Sequence, residues 1–323
     1  MTDPKLSDVE IDGYLSHIRK QAAFMLRADR QSDDGMPGCY FGGEPTLPAD
    51  IEWPIYHCPE PKLDIPLHFI FQVNLKYLPK SLDFPEFPQK GTVFAFVEPM
   101  FAWADPSAPE PLLNGQGAKL IYVADDVSDC PLRKAPALPD LDKPDSDGWA
   151  LSDEPDLDNY LRMRDEYGVT GASGLNKWPM YFLIGDTFTQ LEILKEQNVD
   201  FGYTDLDNME FARAFDSATD SSFNRCRAYA KDKLNLKSEY GIPHWAFGAD
   251  GMYNFPSREF VERLYPGRGL PALTAEHVIL FSLCGKDSEI GYCRFNQYRM
   301  SFWIHPDDLA KGNFSNVQVW EVV

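Results

Sequence analysis

The sequence predicts an α+β protein, built as two related, mainly antiparallel β-rich halves (an internal duplication) with helices at the periphery. Three observations predict it. First, PLHFIFQVNL at 66–75, GTVFAFVE at 91–98 and AKLIYVADD at 118–126 are short runs rich in aromatic and β-branched residues, and prolines or glycines set them off as strands. Second, similar runs return near the C-terminus, HVILFSLCG at 277–285 and RMSFWIHPDDL at 299–309. Third, the order repeats: Phe41-Gly42-Gly43, then HFIFQV, then FAFV, against Phe247-Gly248-Ala249, then HVILFSL, then MSFWI.

Taken in order, residues 1–30 are expected to form an amphipathic helix. Ser7 and Glu10 have capping-box spacing, and Ile11, Leu15, Ile18, Ala22, Phe24, Met25 and Leu26 follow largely at helical intervals. The first β-rich half spans 31–139 and opens on FGGEPTLPADIEWP at 41–54. There the glycines permit a turn that residues with a Cβ resist, and Pro45, Pro48 and Pro54 stiffen the run that follows. Residues 140–175 concentrate acids and prolines without an apolar period and read as an extended connection. The second half, 176–323, starts with WPMYFLIGDTFTQ, passes through the helical patterns LEILKEQN and MEFARAFDSATDSSFNRCRAYAKDKL, and returns to strands. The whole is expected to be one compact unit, since 323 residues at 44% hydrophobic supply a substantial core.

The charge balance narrows the partners. Asp plus Glu number 50 against 30 Lys plus Arg, a net charge of -20, which repels a phosphate backbone or an anionic membrane surface and favours a basic protein, a metal ion or a cationic small molecule, or serves solubility alone. Nucleic acid and membrane are therefore excluded as expected partners. The opening MTDPKLSDVE lacks the basic and apolar regions of a signal peptide, and no apolar run approaches the roughly 18 residues of a membrane span. A cytoplasmic protein with reduced thiols is expected, its six cysteines being scattered without a CxxC pair.

Motifs for chemistry are sparse. GxSxG, GxGxxG and the P-loop pattern do not occur, and Phe41-Gly42-Gly43 is followed by prolines rather than a helix start, so it is poorly set to cradle phosphate. Asp145, Asp147, Gly148 and Glu154 fall at calcium-loop positions, but Lys143 stands where the first oxygen ligand belongs. The six histidines show no HExxH or HxH pairing. No cofactor and no metal is expected, and the balance leans away from an enzyme. The candidate binding residues are Trp53, Trp178 and Trp303, which lie beside proline or at strand edges where an indole can line a groove, and Gln72, an amide inside an apolar strand. His244, which titrates near neutrality, and Asp250 complete the set.

FGGEPTLPADIEWP, PLHFIFQVNLKYLP, GTVFAFVE and SFWIHPDDLAKGNFSNVQVW together resemble the YwqG-like family of uncharacterised bacterial proteins. The resemblance implies two related β-rich halves with peripheral helices and no particular reaction. It also implies an association with toxin–immunity systems. With the charge, that points to a non-catalytic binding module such as an immunity-type inhibitor of a basic toxin. The alternative is an enzyme or small-ligand-binding protein with a cleft between the halves.

Overall fold

Ten strands form a single sheet in which every neighbouring pair is antiparallel. The structure is a computed structural model that describes residues 12–13, 15–16, 18–27, 35–58, 63–97, 117–137, 177–188, 209–234, 244–248, 258–259, 262, 267, 272–274, 276–284 and 299–322. The strands are β1 (Arg19–Arg27), β2 (Tyr40–Phe41), β3 (Ile55–Cys58), β4 (Leu63–Pro66), β5 (His68–Asn74), β6 (Thr92–Val97), β7 (Ala118–Val123), β8 (Trp178–Phe188), β9 (His244–Ala246), β10 (Val278–Cys284), β11 (Arg299–Ile304) and β12 (Gln318–Val322). Their order in the large sheet is β12-β11-β10-β9-β1-β8-β2-β5-β6-β7, and β3 and β4 pair as a separate hairpin. The helices α1 (Met209–Leu234) and α2 (Pro306–Ala310) accompany them.

This sheet cannot be flat. Phe71 on β5 and Phe281 on β10 are five places apart in the strand order, which in a flat sheet means about 24 Å at the usual interstrand spacing. Their ring centroids lie 5.0 Å apart, and Phe302 of β11 lies 6.5 Å from Phe71. The sheet therefore curls until its inner face closes on itself. Its edges, β7 and β12, share no ladder, but Tyr122 of β7 packs at 4.8 Å from Phe314, just ahead of β12. The result is a nearly closed barrel.

Strand alternation sorts the side chains. Met25, Phe41, Phe71, Val97, Phe281 and Phe302 belong to the core inside the barrel. On the opposite face of β5 and β6, Phe69, Phe94 and Phe96 pack against Trp53, Tyr56 and Ile65 beneath the β3–β4 hairpin. A third cluster joins the outer residues Phe24 and Leu26 of β1 and Trp245 of β9 to Phe223 of α1. Cys39 is buried, and burial pushes its thiol up to about 12, so it stays protonated.

Two bulges bend the sheet. The β5–β6 register shifts between Phe69 and Phe71, and the Gly42 amide donates to the carbonyl of the extra residue Ile70 at 2.8 Å. The β10–β11 register shifts between Ile279 and Phe281, where the Phe247 amide donates to Leu280 at 3.3 Å. Phe247 has φ 58 and Gly248 φ 79, so both lie in the left-handed region. A Cβ on Gly248 would sit 2.6 Å from the Ala22 Cβ. Gly248→Ala is expected to cost about 2 kcal/mol through conformational strain and this clash, read by urea denaturation. A midpoint equal to wild type would show that the backbone relaxes freely there.

Two expectations require correction. The stretch expected to be an N-terminal helix contains β1: positions 12–13, 15–16 and 18 are helical, but Arg19–Arg27 is a central strand. The reason is two-sided burial, since Ala23 and Met25 face the barrel core while Ala22, Phe24 and Leu26 face α1. A continuous apolar run suits a buried strand as well as a helix, and periodicity alone does not separate them. The α+β architecture with two duplicated halves and peripheral helices is also overturned. Beside the β3–β4 hairpin there is one large antiparallel β-sheet, nearly closed, with β1 and β8 side by side at its centre in nine paired positions. Burying both faces of these strands links chain segments that a two-half reading keeps apart, so β8 pairs with β2 as well as β1. The 140–175 connection and the calcium-like positions within it lie outside the described residues.

Candidate functional site

The register places one end of every barrel strand together. β1, β2, β6, β10 and β12 finish there, at Arg27, Phe41, Val97, Cys284 and Val322, and β5, β7, β8, β9 and β11 begin there, at His68, Ala118, Trp178, His244 and Arg299. Barrel mouths are common binding positions. At this end the inner face carries polar side chains among the apolar ones.

Arg27 shares the inner face of β1 with Ala23 and Met25, is 3% exposed, and holds its guanidinium carbon 4.5 Å from the Trp178 ring centroid. A cation over an indole face is stabilised by the ring quadrupole, more strongly when desolvated. His244, at 2% exposure, pairs with Met25 and sets its ring 4.8 Å from that of Phe41. His68 pairs with Val97, a residue of the inner core, and is 1% exposed. Among the described residues neither ring nitrogen of His68 has a hydrogen-bond partner, and burial pushes its pKa down to about 4, so the imidazole is neutral at pH 7.

Trp178 and His244 are thus brought together through Phe41, Trp178 as its ladder partner and His244 as its ring neighbour. The other predicted residues lie elsewhere. Trp53 sits in the core under the hairpin, donates from Nε1 to the Leu67 carbonyl at 2.9 Å and packs edge-on to Phe96. Trp303 is buried on the opposite face of β11 from Phe302 and Ile304. Asp250 lies outside the described residues.

Gln72 ties the 38–46 loop to β5. Its Oε1 accepts from the Thr46 amide at 2.9 Å, and its Nε2 donates to the Gly38 carbonyl at 3.1 Å and to Thr46 Oγ1 at 3.1 Å. Both ends of this buried amide are satisfied locally. Gln72→Leu is expected to cost about 2 kcal/mol by leaving the Thr46 amide and the Gly38 carbonyl unsatisfied. Urea denaturation checks the loss, and an unchanged midpoint would mean that the loop finds other partners.

Arg27 and His68 were not among the candidate residues. Each offered the signal that singled out Gln72, a polar group in or at the end of an apolar run, in AAFMLR and PLHFIF. At the other end of the barrel the histidines have structural partners. His305 Nδ1 accepts from the Asp307 amide, capping α2, while Nε2 lies 2.9 Å from Glu276. His277 Nδ1 accepts from the Thr274 amide at 3.1 Å, and burial followed by the nearby His305 lowers its pKa. Among the described residues no group of three or more His, Cys, Asp or Glu side chains is arranged to hold a metal ion.

Fold and site together define a nearly closed antiparallel β-barrel protein with a buried guanidinium, two imidazoles and aromatic rings at one mouth. A family described as Domain of unknown function (DUF1963) matches residues 39–321, and the chain belongs to it. No curated protein matches the sequence. No helix among the described residues is long and apolar enough to cross a membrane.

Proposed function

We propose that the chain is a non-catalytic binding protein whose acidic surface receives a basic protein partner. In its most specific form, following the resemblance to the YwqG-like family, it is an immunity-type inhibitor that covers the cationic surface of a toxin in the cytoplasm. The observation that carries this reading is the net charge of -20. Electrostatic complementarity of this size speeds association and makes it salt-sensitive. The placement of Trp53, Gln72 and Trp303 in packed or hydrogen-bonded interior positions supports a role for the scaffold in presenting a surface.

Affinity purification from the native host at low and at high ionic strength, followed by binding measurements with each purified basic partner, tests the proposal. A basic protein that binds with an association rate falling steeply with salt is expected. Partners that are all neutral or acidic, with rates indifferent to salt, would overturn it.

A small-ligand reading is favoured by one observation, the two unsatisfied nitrogens of His68 on the inner face. Thermal-shift screening of small polar metabolites tests it: a stabilisation lost in His68→Leu would support it, and no stabilisation by any compound would dismiss it.

A further inference from the structure

Among the described residues, the longest strand of the barrel is paired along only part of one edge. β8 pairs with β1 throughout Met180–Phe188, but on its other side β2 covers only Trp178 and Pro179. One residue further, the Met180 amide donates to the Cys39 carbonyl at 3.1 Å and the Met36 amide donates to the Met180 carbonyl at 2.9 Å. The backbone groups of Met180 therefore point away from β1. Strand alternation directs those of Phe182, Ile184 and Asp186 the same way. The Asp186 carbonyl is taken, since Ser222 Oγ of α1 donates to it at 2.6 Å. Among the described residues, the outward N–H and C=O groups of Phe182 and Ile184 have no partner.

Between Pro179 and Asp186 the sequence of β8 offers few of the usual protections of an edge. Residues 181–185 read YFLIG, with neither a proline nor a charge, and Ile184 is 41% exposed. Two donors, two acceptors and an exposed apolar side chain form the template on which an extended peptide adds a strand.

We propose that an extended basic segment of a partner protein adds to the β8 edge at Phe182 and Ile184, an inference that rests on the reading of a basic protein partner. Alternate side chains of the added strand would cover Ile184, and the others would project to the opposite face. Beside this edge α1 bears a shallow depression lined by Ser217, Asp220, Ser221, Asn224 and Arg225, and Arg225 reaches Asp186 at 3.4 Å. Arg225 is paired with Asp186, and Asp220 offers its carboxylate to a lysine or arginine side chain of the added strand. Charge also argues against a second copy of the chain as occupant, because it would set -20 against -20.

A labelled Lys-Val-Lys-Val-Lys-Val peptide and its Glu-Val counterpart test the inference by fluorescence anisotropy at low ionic strength, with amide exchange followed by NMR. The basic peptide is expected to bind and to slow exchange at the Phe182 and Ile184 amides. Ile184→Pro removes an outward N–H while leaving the ladder to β1, and is expected to weaken binding by roughly tenfold or more. Should that variant fold poorly, N-methylation of alternate peptide residues makes the same test on the unaltered protein: methylation of one set abolishes binding and methylation of the other does not.

Salt-sensitive binding of the basic peptide with no protection at these amides and no effect of either modification would overturn the edge assignment while leaving a basic partner in place. Equal edge binding by the Glu-Val peptide would keep the edge and overturn the basic partner. No binding by either peptide would overturn the edge assignment. So would self-association in sedimentation that Ile184→Pro abolishes, since the occupant is then a second copy.

Discussion

Phe71→Ala is expected to destabilise the protein by about 3–5 kcal/mol, the range for truncating a buried phenylalanine in a core that cannot collapse around the gap. Phe71 is fully buried and meets Phe41 at 6.1 Å, Phe281 at 5.0 Å and Phe302 at 6.5 Å. Its ring bridges two sides of the curled sheet, so removing it weakens barrel closure as well as local packing. Urea denaturation of Phe71→Ala, Phe281→Leu and the double variant checks both points. Coupling of about 0.5–1.5 kcal/mol is expected for rings in direct edge-to-face contact. Strict additivity would mean that the rings do not meet and that the sheet is more open.

His68→Leu is expected to stabilise the protein and to flatten its acid limb. At neutral pH the gain is about 1–3 kcal/mol, because two buried polar atoms without partners give way to an apolar side chain of similar size. The pH dependence follows from the depressed pKa. The folded protein holds His68 neutral down to about 4, whereas the unfolded chain protonates it near 6.5. Between those values the unfolded state binds more protons, so stability falls as pH falls through the window, by about 3 kcal/mol over its width, and levels off below it. The variant lacks this component. His277 and Asp308, whose pKa values are also lowered, contribute equally to both proteins and cancel in the comparison. Unfolding measured at pH 7.5 and pH 5 should show a difference that narrows sharply in His68→Leu, and parallel pH profiles would refute the burial of a neutral imidazole.

Individual strands were legible because composition and punctuation mark them locally. PLHFIFQVNL contains β5, GTVFAFVE contains β6, AKLIYVADD contains β7, and HVILFSLCG and RMSFWIHPDDL contain β10 and β11. The long helix was legible as well, MEFARAFDSATDSSFNRCRAYAKDKL being α1 throughout. β1 was not, because its residues satisfy a helical stripe and a doubly buried strand alike, and only the neighbours on each side decide between them. The candidate site was legible in part. Trp178 and His244 stand together through Phe41, but a tryptophan beside a proline carries no mark of whether it faces a groove, and Trp53 and Trp303 are packed inside.

The sequence by itself determined the acidic character (a net charge of -20), the places where most strands and the long helix form, and the turn glycines at positions 42, 43 and 248. Those properties depend on side-chain chemistry and local backbone preference. Only the tertiary structure decided that β1 and β8 lie together at the centre of one sheet, that this sheet curls until Phe71 meets Phe281, and that among the described residues no strand neighbours Phe182 and Ile184 on the side away from β1. Strand order and closure depend on which surfaces remain to be buried once every element has formed, and distant parts of the chain settle that choice jointly.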